Sequence, residues 1–497
     1  MTDQRNEPRL AHTDKLYIDG AWRTPSSRST FQVVDSATER PYFSVAAAGK
    51  QDVDAAIGAA RAAFDSGPWP RMTPLERAGY LSRLAEGLRE RADEMAELWT
   101  RETGAIHAVT TAGSQGTPAM YDYYAGLAET YPFDEAIKPT SGGEFGLLVK
   151  EPVGVVAAII PWNSPQVQIA LKLAPALLGG STVILKASPQ APGETYLVAE
   201  VADEIGFPPG VINVVTADAE VSELLVADPR VDKISFTGST AAGRRIASLA
   251  GGRIARYTLE LGGKSAALVL DDYDLATAAG TLAGSACMIS GQVCTTLSRV
   301  IVERSRHDEL VEALAAAFAS VRVGDPFDAA TGLGPVATAA QRERIEGYIA
   351  KGIADGATLA TGGGRPAGLD RGWFVEPTVF GNVDNSSVIA QEEIFGPVLA
   401  VIPADDEEDA IRLANESIYG LNASVFTNDT DRALAVARRL RSGTVGHNAW
   451  RSDPGVSFGG FKQSGVGREG GIDGLEIYLE KKYVVLDGVP DGHSPHD

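Results

Sequence analysis

The chain has 497 residues, of which 44% are hydrophobic and 22% charged, and its formal net charge is -21 at pH 7. This length allows about two to four domains at roughly 100–200 residues each, and so acidic a surface repels phosphate backbones and anionic lipids, which excludes nucleic acid and membrane surfaces as expected partners. The two cysteines, Cys287 and Cys294, are too few for a disulfide framework, so we expect a reducing, cytoplasmic environment.

The first 130 residues predict a few short strands followed by helices. Residues 1 to about 15 are expected to form a loose tail. The strand-like segment 16–18 runs into Asp19–Gly20, a strong turn signal. Apolar residues spaced by three and four then predict helices, which begin near Asp52 and continue over 74–91, 92–103 and 107–130.

From residue 155 onwards, short apolar runs alternate with helical patterns. The continuous apolar run 155–160 predicts a buried parallel strand, and Asn163 follows just beyond its end. Further strands are predicted at 182–185, 211–215, 233–236, 266–270, 298–302, 377–380 and 398–402. Helices are predicted between them at 166–178, 194–205, 221–227, 241–250, 275–288, 308–321 and 341–356. This alternation is typical of parallel sheets covered by helices on both faces, which bind ligands beyond the carboxyl ends of their strands.

Cys294 is the candidate nucleophile. A cysteine becomes a strong nucleophile when a helix N-terminus or a nearby cation favours its thiolate, although most free cysteines are small buried hydrophobes. Three other segments favour the reactive interpretation, because they add an amide donor, a glycine turn before a helix, and a carboxylate. They are 161–163, 236–240 and 259–264.

Two further inferences concern the cofactor and the base. Gly238 and Gly243 frame a helix start after a strand, where free backbone N–H groups can receive a pyrophosphate, although the pattern is not G-x-G-x-x-G. None of the six histidines lies in a segment that otherwise carries chemistry. Glu260 is therefore the better candidate base, since burial in its apolar, glycine-flanked segment would raise its pKa. No metal site is expected.

These motifs together resemble the aldehyde dehydrogenase superfamily. The resemblance rests on Asn163, Glu260 and Cys294 and on the segments 262–264, 392–397 and 458–465, and it runs from about residue 16 to 485. It implies an α/β fold with two doubly wound parallel-sheet domains and a small bridging sheet. In the implied division, residues 1–130 and 152–262 together form the dinucleotide-binding domain. Residues 263–473 form the catalytic domain. Residues 131–151 and 474–497 form the bridging, oligomerisation segment, which ends in a frayed tail.

The resemblance also implies the activity, the cofactor and the role of individual residues. The implied reaction is oxidation of an aldehyde to its acid with NAD, or alternatively NADP, in a homodimer or homotetramer. Cys294 would attack the aldehyde, Asn163 would hold the oxyanion together with the Cys294 N–H, and Glu260 would activate the water that hydrolyses the thioester. The implied cofactor residues are Ile159, Pro161, Trp162, Lys186, Phe236, Gly238, Ser239, Leu261, Glu393 and Phe395. The implied substrate residues are Ser164, Trp450 and Phe458.

Two departures from the family pattern leave specificity open. Pro189 stands where NAD-preferring members often place a glutamate on the ribose hydroxyls, so nothing there repels the 2′-phosphate of NADP. Ser164 replaces an aromatic residue that often lines the substrate tunnel, which suggests a wide tunnel for a bulky or aromatic aldehyde.

Two alternative functions also stay open: a CoA-acylating relative, in which thiolysis replaces hydrolysis, and a catalytically silent binding or structural relative. Retention of Glu260 favours hydrolysis, and retention of all three catalytic residues argues against a silent protein.

Overall fold

The computed structural model describes residues 8–453 and 455–492, and it arranges their strands in four sheets flanked by helices. The strands are β1 Leu16–Ile18, β2 Ala21–Arg23, β3 Thr30–Asp35, β4 Arg40–Ala46, β5 Asp134–Ile137, β6 Phe145–Pro152, β7 Val155–Ile159, β8 Thr182–Ala187, β9 Ile212–Thr216, β10 Lys233–Thr237, β11 Arg256–Glu260, β12 Ala266–Val269, β13 Arg299–Glu303, β14 Thr358–Thr361, β15 Thr378–Gly381, β16 Val398–Ala404, β17 Asn422–Phe426, β18 Thr444–His447, β19 Gly465–Val466 and β20 Leu479–Leu486. The helices are α1 Lys50–Ser66, α2 Pro74–Glu90, α3 Ala92–Thr103, α4 His107–Gly116, α5 Pro118–Thr130, α6 Pro165–Gly179, α7 Gly193–Glu204, α8 Ala219–Ala227, α9 Thr240–Gly252, α10 Leu275–Cys287, α11 His307–Ala319, α12 Ala339–Ala354, α13 Val388–Gln391, α14 Glu407–Asn415, α15 Thr430–Ala437 and α16 Gly471–Glu476.

The first large sheet has eight strands in the order β19-β11-β10-β7-β8-β9-β1-β2. Its five central strands run parallel, and β19 and β1 join them antiparallel. Alternate residues of β7 pack on opposite faces. Val155 and Ala157 lie in the apolar cluster that contains α1, whereas Val156 and Ala158 lie in the cluster that contains α6. Burial on both faces explains why this strand is a continuous apolar run.

The second large sheet has seven strands in the order β14-β15-β16-β13-β12-β17-β18. All neighbouring pairs are parallel except β14 with β15. Ala266 and Leu268 of β12 again pack in a different apolar cluster from Ala267 and Val269. The predicted fold class, two doubly wound parallel-sheet units with a smaller third sheet, is thereby confirmed.

The third sheet, β20-β6-β5, is antiparallel and comes from the two segments for which a bridging sheet is implied. Strand β6 pairs along its whole length with β20, from Phe145 opposite Leu486 to Pro152 opposite Leu479. The division into domains stays a prediction. The short strand β19 lies within residues 263–473, the implied catalytic domain, but it pairs with β11 in the eight-stranded sheet.

The structure differs from the sequence-based prediction near the N-terminus. Leu10 is buried and the Ala11 N–H donates to Glu200 Oε1 at 2.6 Å, so the predicted loose tail is packed from residue 10 onwards. Residues 1–7 of the predicted loose tail and residues 493–497 of the predicted frayed end lie outside the described residues. The helical stretch 107–130 is divided into α4 and α5 before Pro118, which has no N–H for a continuing helix.

Among the described residues, no helix has both the length and the apolar character needed to span a bilayer.

Candidate active site

The carboxyl ends of the parallel strands in the eight-stranded sheet converge on one cleft. Asn163 follows β7, Gly238 follows β10, and Glu260 is the last residue of β11. Cys294 approaches from the other half of the chain, in the loop between a 3₁₀ turn at Met288–Gly291 and β13. The cleft encloses a cavity of about 530 Å³.

Most of the residues implied by the family resemblance meet in this cavity. Those that line it are Pro161, Trp162, Asn163, Ser164, Gly238, Ser239, Leu261, Cys294, Glu393, Phe395, Trp450 and Phe458. The remaining four do not line it: Ile159, Lys186, Phe236 and Glu260. All four are nevertheless buried in the strands that form the cleft. The structure therefore brings the implied residues of both types, cofactor and substrate, to one place.

The loop that carries Cys294 has an unusual backbone. Ile289, Ser290 and Gly291 have successive φ angles of 47°, 54° and 74°. The left-handed region costs a non-glycine residue about 1–3 kcal/mol, so the surrounding structure must hold the loop. Gln292 does so, because its buried side chain donates to Ile289 O at 3.0 Å and to Thr103 O at 3.1 Å, and accepts from the Ala337 N–H at 2.9 Å.

Asn163 is joined directly to this loop. Its Nδ2 donates to Gln292 O at 2.9 Å, and its own carbonyl accepts from Trp99 Nε1 at 2.8 Å. A side-chain amide has two N–H donors, so one remains for an atom in the cavity. Asn163 is thus tied to the loop that carries Cys294, and both residues line the cavity.

The surroundings of Cys294 disfavour its thiolate. Burial raises its pKa to about 12, and the carboxylates of Glu393 and Glu260 raise it as well. The N–H groups of Cys294 and Thr295 act in the opposite direction. The helix N-terminus or cation that usually favours a cysteine thiolate is not supplied by these residues.

Glu260 is buried behind the cavity wall. Neither of its carboxylate oxygens has a hydrogen-bond partner among the described residues. Burial raises its pKa well above the ordinary value for glutamate, and the nearby carboxylate of Glu469 raises it further, against the opposing charges of Lys172 and Arg468. A side chain at Gly459 would place its Cβ 2.7 Å from Glu260 Oε1, so the glycine leaves the carboxyl group its space.

Sequence reasoning missed a buried ion pair beside Glu260. Lys172 Nζ donates to Glu469 Oε1 at 2.8 Å, and both side chains are fully buried. Glu469 also exchanges two backbone hydrogen bonds with Phe458, of 2.6 and 2.7 Å, which ties the pair to a cavity wall. Buried ion pairs are costly to desolvate, and the one available signal was a lysine within the apolar run of α6.

The cofactor side of the cleft fits a dinucleotide. Helix α9 begins after Ser239, whose Oγ accepts from the Ala242 N–H at 3.2 Å, and free N–H groups of its first turn are suited to a pyrophosphate. A Cβ on Gly243 would lie 2.6 Å from the Leu261 side chain, so this helix packs closely on the strand end. The Lys186 ammonium group donates to no other described residue, and burial lowers the pKa of Lys186 to about 8.

The opposite end of the cofactor cleft is formed by Glu393 and two aromatic rings. Glu393 Oε1 accepts from the Gly263 N–H at 3.2 Å, and burial raises the pKa of the glutamate to about 7. A Cβ on Gly262 would lie 2.2 Å from Glu393 Oε2, so the carboxyl group passes directly over that glycine. Trp162 and Phe395 meet edge to face at 5.3 Å between ring centroids. These side chains supply an acceptor and an apolar surface for a ribose and a flat ring.

Comparison with known sequences gives one consistent result. A sequence model described as the aldehyde dehydrogenase family matches residues 22–484. A geranial dehydrogenase from Castellaniella defragrans is 42% identical over 474 residues, which are 95% of this chain and 98% of that protein. A 3-succinoylsemialdehyde-pyridine dehydrogenase from a Pseudomonas species is also 42% identical, over 95% of this chain and 98% of its own length.

Solved structures agree with the sequences. A Mycobacterium tuberculosis aldehyde dehydrogenase complexed with NAD+ superposes with a TM-score of 0.93 at 45% identity, covering 97% of this chain and 99% of that chain. A mutant aldehyde dehydrogenase C from Pseudomonas syringae, in complex with NAD+ and octanal, gives a TM-score of 0.92 at 40% identity with the same coverage of 97% and 99%.

Proposed function

The chain belongs to the aldehyde dehydrogenase family and oxidises an aldehyde to its carboxylic acid with NAD(P)+, and we propose that Cys294, Asn163 and Glu260 perform this reaction. The observation that carries the proposal is the hydrogen bond that Asn163 Nδ2 donates to Gln292 O. This bond ties Asn163 to the loop at a position two residues before Cys294. When bound, NAD(P)+ brings a positively charged nicotinamide ring, which accepts the hydride and whose charge favours the Cys294 thiolate.

The first chemical step belongs to Cys294. The Cys294 thiol releases its proton to solvent, the thiolate sulfur forms a bond to the aldehyde carbon, and the carbon–oxygen π electrons move to the carbonyl oxygen, which becomes an oxyanion. Asn163 Nδ2 and the Cys294 N–H donate to that oxyanion, and such preorganised donors are each worth about 2.7–4 kcal/mol. Loss of hydride from the thiohemiacetal carbon leaves a thioester on Cys294.

The second step belongs to Glu260. As a carboxylate it takes a proton from water, and the resulting hydroxide attacks the thioester carbon. The carbon–sulfur bond then breaks, which releases the acid and returns Cys294. The raised pKa of Glu260 suits this role, because it makes the carboxylate a stronger base than an exposed glutamate.

Asn163→Ala is expected to lower kcat by about 10²- to 10³-fold with a smaller change in KM, because the lost donor acts mainly on the oxyanion. Steady-state kinetics on one aldehyde measures both parameters. Ser164→Ala is the matched control, since Ser164 lines the same wall but contributes no amide. Equal losses in the two variants would argue against the oxyanion role.

The overall proposal is tested by reduced-cofactor formation from NAD+ and from NADP+ with the purified protein. A panel of aliphatic, aromatic and amino aldehydes is offered with and without CoA. Turnover without CoA supports hydrolysis, and the ratio of the two cofactors shows what Pro189 allows. Turnover only with CoA would move the protein to the acylating group, and no turnover with any aldehyde would contradict the proposal.

We propose an apolar or aromatic aldehyde as the substrate. The cavity walls beyond Cys294 are apolar, formed by Val167, Leu171, Trp450 and Phe458 among others. Two of the related proteins fit this substrate class, since one is a geranial dehydrogenase and the structure of another holds octanal.

We also propose a cytoplasmic homodimer or homotetramer. Exposed apolar side chains on β20, including Tyr483 and Val485, support association through the third sheet. Both cysteines are free thiols, as a reducing environment requires.

A further inference from the structure

One face of helix α6 forms a wall of the cavity. Ser164, Gln168 and Leu171 recur at spacings of four and three, so they lie on the same side of the helix, and all three line the cavity. Val167 lies next to them and lines it as well. Gln168 therefore places a side-chain amide among aliphatic and aromatic walls, one helical turn from the start of the helix.

The hydrogen bonds of Gln168 determine which way its amide faces. Its Oε1 accepts from Thr237 Oγ1 at 2.9 Å and from Lys172 Nζ at 3.2 Å. An ammonium group only donates, so the atom that faces Lys172 must be the oxygen. The Nε2 of Gln168 must then point away from this network, and it makes no hydrogen bond to any other described residue.

Lys172 itself cannot turn to release the amide. Its ammonium group is fully buried and also donates to Glu469 at 2.8 Å and to Thr237 at 2.6 Å. The orientation of Gln168 is thus fixed by a buried network, which leaves both N–H donors of a cavity-lining residue outside that network.

A donor held in this way is a recognition element. A donor that a bound molecule covers without pairing costs about 1–3 kcal/mol, so a molecule that supplies an acceptor there is favoured over one that does not. We propose that Gln168 Nε2 donates a hydrogen bond to a carbonyl or ether oxygen on the chain of the substrate, beyond the aldehyde group.

The inference rests on the proposed function and narrows its substrate class. The preferred aldehyde combines an apolar body, which packs on Leu171 and Val167, with one acceptor oxygen that meets Gln168. A pure hydrocarbon aldehyde of the same length fills the cavity but leaves the amide unpaired. This residue therefore determines specificity among apolar aldehydes, without touching the reacting carbon.

The experiment compares octanal with oxo-octanals that carry a ketone at successive chain positions. In the wild type, at least one ketone position is expected to show a higher kcat/KM than octanal. Gln168→Met, which has a similar length and no donor, is expected to lower that ketone-to-octanal ratio by about three- to tenfold, mainly through KM. The ketone position with the largest effect locates the acceptor.

A second variant separates recognition from damage to the network. Gln168→Glu retains oxygens for Lys172 and Thr237 but has no donor, so it is expected to lose the same preference. Leu171→Met, on the same face, is expected to change KM for both aldehydes while keeping their ratio. An unchanged ratio in both Gln168 variants, measured with active enzyme, would overturn the inference. A wild type that oxidises neither aldehyde would instead contradict the proposed function.

Discussion

Replacement of Cys294 by alanine is expected to reduce dehydrogenase turnover by roughly 10⁴- to 10⁶-fold, the scale seen when a covalent nucleophile is removed. Of the two cysteines, both of which the structure describes, Cys294 lines the cavity and Cys287 does not, so no second thiol is at hand to replace it. The measurement is steady-state formation of reduced cofactor, with cofactor binding followed separately. The variant should still bind NAD+, since the contacts proposed for the dinucleotide come from other residues.

Cys287→Ala is the matched control for this experiment. Cys287 is the second free thiol, and it is buried at the end of helix α10, packed among apolar side chains. Its removal is expected to cost some stability and little turnover. Substantial activity in Cys294→Ala, or a comparable loss in Cys287→Ala, would show that the nucleophile has been assigned to the wrong residue.

The parallel sheets could be predicted because burial on both faces leaves a simple signal in the sequence. Strand β7 was predictable from its continuous apolar run, and Asn163 was then expected just beyond the end of that strand. Strand β17 escaped the same reasoning because it contains Asn422 and Ser424. Both are buried and satisfied, Ser424 by donating to Ala449 O at 2.9 Å and Asn422 by accepting from the Ala423 N–H at 2.9 Å. Buried polar residues that form hydrogen bonds inside a sheet interrupt the apolar run, so the strand is not recognised from hydrophobicity alone.

The candidate residues of the active site could be identified from sequence motifs. Their backbone conformation and their buried hydrogen-bond and charge partners could not. The left-handed backbone before Cys294 depends on Gln292 and on contacts from distant segments. The ion pair between Lys172 and Glu469 joins positions 297 apart in the chain. Neither could be predicted from local sequence, and the two charges of the ion pair act in opposite directions on the pKa of Glu260. The assignment of roles to individual residues stays a prediction that the substitutions test.

Glu260→Gln is expected to slow thioester hydrolysis by about 10²- to 10⁴-fold, which is the usual contribution of a general base. Formation of the thioester does not use this carboxylate, so the first turnover should survive. Rapid-mixing measurements would then show a burst of reduced cofactor, about one equivalent per active site, followed by a slow steady state. The amide keeps the shape of the carboxyl group in its buried position beside Gly459.

The pH dependence of hydrolysis gives an independent check on the same base. Burial and the charge of Glu469 both raise the pKa of Glu260, so its carboxylate forms only as the pH rises, and hydrolysis should accelerate with pH through that raised pKa. Glu260→Gln removes this dependence. Glu469→Gln removes the neighbouring negative charge, which lowers the pKa of Glu260 and should move the whole profile to lower pH. If Glu260→Gln weakened burst and steady state equally, or if the profile in Glu469→Gln moved to higher pH, the water-activating base would have to be another group.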